Sequence, residues 1–484
     1  MSSAVQKSAV AANLRKIALM LILTAAAGFL TSMLGDPKVI LGDPACVFTA
    51  KNQIITVATF VCIISATLLF WDMRLAVAFI GMSFMLAMNV APLDKMMEQS
   101  ELHIILFLVG MMTLVGVLKD LGLFTWLIQA ILNQKNMSGR RFMIILILLS
   151  GIMASLVDEV TSIVFVLALV FQVCDTLKIR PMRFVLVSVM ATNIGSTGTM
   201  LGNPVGLLIG TKMELSFGSF IEHAFPIMFV SLLVTLAILM LWMRKDIAQF
   251  DERLKSRRDT SNLGLGPLVK IPHVLGLAIF FCALVFIASH SWMEHKLGLE
   301  HNTMLIVAPL TIAGILMIYR HKRARHYIEA EVEWWTLLFF LVLFAVAGSL
   351  ETTGVSKTIV ERFKPADGAP PNPMILTPLI VAITAIGSAF VDNIVFVAAF
   401  IPIVKELIPE GVSTEHPYTW AMLFGSCFGG NITAIGSTAN IVALGMMGKH
   451  YGIHTTFKEW IKIGAVVGII TCAVATGMIL IFYK

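Results

Sequence analysis

The sequence predicts an all-α polytopic membrane protein built from two inverted repeats, each with a re-entrant hairpin and a discontinuous helix. Three observations predict it. Of 484 residues, 58% are apolar and 13% charged, whereas soluble domains carry about 25% charged residues; mean hydropathy is +0.88. Many apolar windows reach roughly 18 residues, enough to cross about 30 Å of hydrocarbon as a helix, and barrel-type alternation is absent, so the backbone must satisfy itself helically. Lastly, two acids sit in apolar stretches that repeat: Asp158 in ILLSGIMASLVDEVTSIVFVLALV and Asp392 in IVAITAIGSAFVDNIVFVAAFIPI. A shift of 234 positions carries Asp158 onto Asp392, Gly195 onto Gly429, Thr199 onto Thr433 and Gly202 onto Gly436.

Apolar spans begin near Lys16, Gln53, Leu75, His103, Phe142, Phe184, Phe220, His273, Thr303, Trp334, Met374, Thr419 and Ile463. They group as an N-terminal helix (Lys16–Leu34, read as a retained anchor) with an external loop over 1–52, a first repeat over 53–243, a cytoplasmic linker over 244–272 and a second repeat over 273–484. The basic loops Arg244–Lys270 and Arg320–Arg325 are placed in the cytoplasm by the positive-inside rule. Counting from them puts the N-terminus inside and the C-terminus outside, with Asp36–Lys51, Pro92–Glu101 and His290–Asn302 outside. Lys135, Arg140 and Arg141 precede the segment at about 142–173, and Lys178, Arg180 and Arg183 follow it. Both ends then face the cytoplasm, so this segment is a hairpin or an even number of passes. Its counterpart at about 374–407, flanked by Asp367 and by Glu406–Glu410, falls on the outside. One hairpin from each face is the inverted topology of alternating-access transporters. The expected location is the cell (inner) membrane.

Composition also excludes classes. The net charge of +6 resides in loops, so it does not call for nucleic acid. Six cysteines and 29 methionines lack metal-ligand spacing and read as packing residues. The chain has no GxxxxGK[ST] phosphate loop and no GxGD pattern of an intramembrane aspartyl protease, so an enzyme is not expected and no cofactor is called for.

Two constellations carry chemistry. Asp158, Glu159 and Asp392 are carboxylates in apolar stretches with no nearby Lys or Arg. Such groups cost at least about 2.5–3.5 kcal/mol at mid-membrane and mark ion or proton paths; interhelical structural pairing is the plainer alternative. Next come two Gly- and hydroxyl-rich breaks. One runs Asn193, Gly195, Ser196, Thr197, Thr199, Gly202, Asn203, Pro204; the other Gly429, Gly430, Asn431, Thr433, Gly436, Ser437, Thr438, Asn440. Glycine and proline interrupt helical bonding and free backbone groups for a solute, although small residues also serve close helix packing. His103, Lys119, Asp120, Glu331, Glu333 and Glu351 read as interfacial anchors, and Trp334-Trp335 as an aromatic belt.

At these residues the chain resembles the ion-transporter superfamily. The likeness is greatest to the branch of arsenite permeases, NhaD-type sodium/proton antiporters and the melanosomal P protein (citrate-transporter-like permeases), through Leu106–Gly122 (LFLVGMMTLVGVLKDLG), Asn193–Gly195, Glu333–Phe340 (EWWTLLFF), Ser388–Asn393 (SAFVDN) and Gly429–Asn440 (GGNITAIGSTAN). The resemblance implies a scaffold plus a transport domain, a homodimer and elevator-type movement, with Asp158-Glu159 and Asp392-Asn393 at the hairpin tips. Anion symporters resemble a neutral Ser-Asn-Thr pattern there. The chain departs from its branch at Glu159, where Asn is usual, and at Gly202-Asn203-Pro204-Val205-Gly206, where Asp and Asn are usual.

The expected function is a secondary transporter exchanging sodium or another cation for protons across the bilayer, its partner being a small inorganic ion or polar solute. Asp158 and Asp392 would exchange protons for the cation, and Glu159 would add a ligand or a proton carrier. Thr161, Asn193, Ser196, Thr197, Thr199, Asn203, Asn393, Asn431, Thr433, Ser437, Thr438 and Asn440 would supply neutral ligands; the sodium set would be Asp158, Asn203, Asp392 and Asn440. Repulsion among the carboxylates should bring at least one toward a neutral titration range. The alternatives are proton-coupled efflux of arsenite or another small oxyacid, for which Cys427 is the one nearby thiol, sodium-coupled anion symport, or a channel on the same scaffold.

Overall fold

Among the described residues every regular element is a helix. The computed structural model describes residues 3–42, 46–132, 134, 137–260, 273–300, 302–363, 372–409, 411–453 and 455–483. Lys135, Lys270, Asp367 and Glu410, all used in the charge count, lie outside them.

Nine helices among the described residues are long and apolar enough to cross a membrane, or up to 11 if two bent pairs count as spans. Three of the thirteen expected starts fall on shorter helices: Arg74–Ala87 and Met182–Gly195 have 14 residues and Pro417–Gly429 has 13. At 1.5 Å per residue, 14 residues reach only about 21 Å. The bent pairs are Val274–Ala288 with His290–Leu297, at 53°, and Thr303–Tyr319 with His321–Glu331, at 104°. The basic linker is not a loop throughout. Arg244–Thr260 is helical, and Asp251 accepts the Gly139 N–H at 2.7 Å.

The chain divides into two compact units, and neither follows a repeat boundary. The first unit comprises 1–105, 333–372 and 395–412. In it the helices Ala50–Leu69, Arg74–Ala87 and Trp334–Thr352 pack together. Buried Arg74 stacks on Trp71 and Phe339, at 3.9 and 4.9 Å from the ring centroids, and donates to Thr336 at 3.1 Å. Gln53 donates to the Thr353 carbonyl and to Thr358.

The second unit comprises 106–332, 373–394 and 413–484. It holds both breaks and all three acids. The helices on either side of each acid keep the 234-residue spacing. Gly139–Leu156 and Glu159–Leu177 part at Val157–Asp158, and Pro373–Phe390 and Asn393–Leu407 part at Val391–Asp392, the last helix counting with the first unit from Val395 on. The first-repeat arms have 18 and 19 residues, about 27 Å each, so their length fits a pair of passes as well as a hairpin. Each downstream helix is broken where the glycines and asparagines predict. Met182–Gly195 stops before Pro204–Lys212, and Pro417–Gly429 stops before Thr438–Tyr451. Asn203 and Ser437, equivalent by the 234-residue shift, cap the second halves through their side chains.

Candidate functional site

The two breaks share their threonine bonds and glycine contacts. Thr199 donates its hydroxyl to the Ser155 carbonyl, and Thr433 donates to the Ala389 carbonyl at the shifted position. Each threonine oxygen also accepts a backbone N–H two residues on, from Leu201 and from Ile435. A side chain at Gly195 would overlap the backbone of Gly151, and one at Gly429 would overlap Ala385, again equivalent positions. Close backbone approach, which only glycine permits, thus seats each half-helix against its arm.

Asparagine amides join the halves to one another. Asn193 Nδ2 donates at 2.8 Å to both Asn431 Oδ1 and Asn440 Oδ1. Asn440 Nδ2 donates to the Gly430 and Thr433 carbonyls, both at 2.9 Å. Those two carbonyls fix the orientation of Asn440, hence that of Asn193, whose own Oδ1 is left buried without a partner. Asn431 Nδ2 reaches the Met190 carbonyl at 3.4 Å, and the Asn431 carbonyl accepts Trp460 Nε1 at 2.9 Å. Asn203 Nδ2 donates to Ser196 at 2.8 Å and to Cys427 Sγ at 3.3 Å, while Asn203 Oδ1 accepts the Gly206 N–H at 2.6 Å.

The acids are placed differently. Asp158 caps the Glu159–Leu177 helix by accepting the Thr161 N–H at 2.8 Å. Asp392, 3% exposed, accepts the Thr438 hydroxyl at 2.7 Å and the Ile394 N–H at 3.1 Å. Glu159, 1% exposed, has neither carboxylate oxygen in a hydrogen bond of normal geometry. Asp158, Asp392 and the Ser196 hydroxyl all lie close enough to act on it electrostatically. Among the described residues no three His, Cys, Asp or Glu side chains converge as a metal-holding group.

Each expected site residue therefore has a place. Asn193, Ser196, Asn203, Asn431, Thr433, Thr438 and Asn440 are brought into contact with one another or with Asp392. Thr197 bonds its own helix at the Ile194 carbonyl, Ser437 caps a helix, and Asn393 turns to the Ile394 N–H. Thr161 contributes its backbone N–H to Asp158. Of the expected sodium ligands, Asn203 Oδ1 accepts the Gly206 N–H and Asn440 Oδ1 accepts the Asn193 amide. Lys119 and Glu331 pair at 3.0 Å, and Asp120 pairs with Arg323 at 2.7 Å. The sequence reading missed Ser155, whose carbonyl anchors Thr199, and Trp460. Backbone acceptors carry no residue signal, and a lone tryptophan resembles packing.

A family model described as citrate transporter (CitMHS) matches residues 60–425. An uncharacterised transporter of Mycobacterium tuberculosis strain H37Rv is 32% identical over 375 residues, covering 77% of this chain and 84% of that protein. The human P protein is 25% identical across 80% of this chain, which spans 54% of that longer protein. The crystal structure of the Alcanivorax borkumensis YdaH transporter superposes with a TM-score of 0.53 at 17% identity, over 78% of this chain and 84% of that one. With an all-helical fold, two equivalent broken helices and a family match over most of its length, the chain belongs to the CitMHS citrate transporter family.

Proposed function

We propose that this secondary transporter exchanges a small monovalent cation for protons at the cluster of Asp158, Glu159 and Asp392. The single observation that carries the reading is Glu159, buried, with neither oxygen in a hydrogen bond of normal geometry, the Ser196 hydroxyl next to it, and Asp158 and Asp392 close enough to act on it electrostatically. A buried carboxylate needs a proton, a cation or a hydrogen-bond donor. The amides of Asn193, Asn203 and Asn440 each spend both N–H groups on protein atoms, and that of Asn431 bonds the Met190 carbonyl. Among the described residues no Lys, Arg or His forms an ion pair with these three acids. Protons and a hard cation would then compete for the same oxygens. On this reading the second compact unit carries the site and the first serves as scaffold, with elevator-type movement of a homodimer.

The family description names citrate, and anion symport is the rival it raises. A polyanion meeting three acids without a basic partner is disfavoured by charge. Arsenite efflux rests on Cys427, whose buried thiol accepts from Asn203. Proteoliposomes containing a pH-sensitive dye, tested with sodium, lithium, potassium, arsenite and citrate, separate the three. Dye response to a monovalent cation gradient supports exchange. Citrate uptake with sodium and without proton movement overturns it.

A further inference from the structure

We infer that Ser162 and Thr192 form a second station for the cation, one helical turn beyond Glu159 in the seam between Glu159–Leu177 and Met182–Gly195. The inference rests on the exchange reading and names the oxygen set that would hold the ion.

These two helices are joined by the turn Lys178–Pro181 and pack against each other, so they run antiparallel. Glu159, at the start of one, meets Ser196, at the end of the other. One turn along, Ser162 shares the face of Glu159 and Thr192 shares the face of Ser196. This register sets Ser162 opposite Thr192. Both are fully buried, and neither hydroxyl has a hydrogen-bond partner. Burial of a hydroxyl on a helix is ordinarily relieved by bonding the carbonyl four residues back. Ser150, Ser188, Thr211 and Thr384 in the same unit do so; Ser162 and Thr192 do not, and Ser231, Thr377 and Ser388, also unpartnered, lie on other helices than these two.

The unpartnered atoms along this seam are the two Glu159 oxygens, Asn193 Oδ1, Ser162 Oγ and Thr192 Oγ1. All are oxygens, and none is a nitrogen donor. A set of one carboxylate, two hydroxyls and one amide oxygen suits a dehydrated hard cation of single charge, and its carboxylate repels an anion. The second repeat lacks the set. By the 234-residue shift, Glu159, Ser162, Thr192 and Asn193 correspond to Asn393, Phe396, Ser426 and Cys427. Ser426 bonds its own helix carbonyls at Met422 and Leu423. The duplication therefore supplies two frameworks, and this second station belongs to the first repeat alone.

The test uses the full chain, measuring sodium half-saturation in proteoliposomes and the sodium-dependent shift in thermal unfolding in detergent, with N-methylglucamine chloride as the ionic control. Ser162→Ala and Thr192→Val should each raise half-saturation about tenfold, the scale of one lost polar contact to a charge, and remove most of the sodium-dependent shift. Thr192→Ser, which keeps the hydroxyl, and Ser188→Ala, whose hydroxyl serves its own helix, should behave as wild type. If Ser162→Ala and Thr192→Val keep wild-type half-saturation while Glu159→Gln loses the sodium response, the second station is wrong and the exchange reading stands. If the wild-type chain responds to no monovalent cation in either assay, both fall.

Discussion

Asn193 and Asn440 lie 2.8 Å apart, nitrogen to oxygen, and this bond ties the break of one repeat to the break of the other. The same Asn193 amide also holds Asn431. Because all three asparagines are fully or almost fully buried, Asn193→Ala would leave two amide oxygens without a donor. Each such loss costs about 1–3 kcal/mol. The expected outcome is a lower thermal midpoint in detergent, larger than that of Ser188→Ala, which removes one local bond.

Gly195 and Gly429 admit no side chain, since a Cβ at either would overlap the backbone of the adjacent arm. Overpacking against backbone exceeds the usual cost of about 1–3 kcal/mol, because no rotamer relieves it. Gly195→Ala and Gly429→Ala should therefore abolish monodisperse folded protein in size-exclusion chromatography. Gly445→Ala, with nothing within 4 Å of its Cβ, should be recovered at wild-type yield.

His416 predicts a pH dependence of stability. Its Nδ1 accepts the Tyr418 N–H at the start of Pro417–Gly429, and burial lowers its pKa from the ordinary 6.5. The folded chain thus prefers neutral imidazole. Above the ordinary value both states are neutral and the cap is complete; as pH falls through it, the unfolded chain takes the proton first and stability declines. Thermal midpoints at pH 7 and pH 5 should differ more for wild type than for His416→Asn, whose amide caps without titrating.

Much of this architecture is legible in the sequence, for physical reasons. The duplication shows in residue types because glycine at 195 and 429, and threonine at 199 and 433, are demanded by backbone contact and by a specific hydroxyl bond. The breaks show because Pro204 and the caps Asn203 and Ser437 are local signals. The cross-repeat asparagine contacts do not show, since residues more than 230 positions apart meet only through tertiary packing. Ser162 and Thr192 were invisible for another reason: a hydroxyl in an apolar helix normally serves its own backbone, and only the folded chain shows which hydroxyls do not. Nor could composition tell that Arg244–Thr260 is a helix rather than a loop, because charge sets sidedness without setting backbone conformation.

The most direct test of carboxylate-centred exchange is proton flux driven by a sodium gradient in proteoliposomes, compared among wild type, Glu159→Gln and Asp392→Asn. Removing a charge that binds both cation and proton should cut the rate at least about tenfold in each variant, equivalent to about 1.4 kcal/mol of barrier, with folding confirmed by an unchanged elution profile. Wild-type flux in either folded variant would contradict the account.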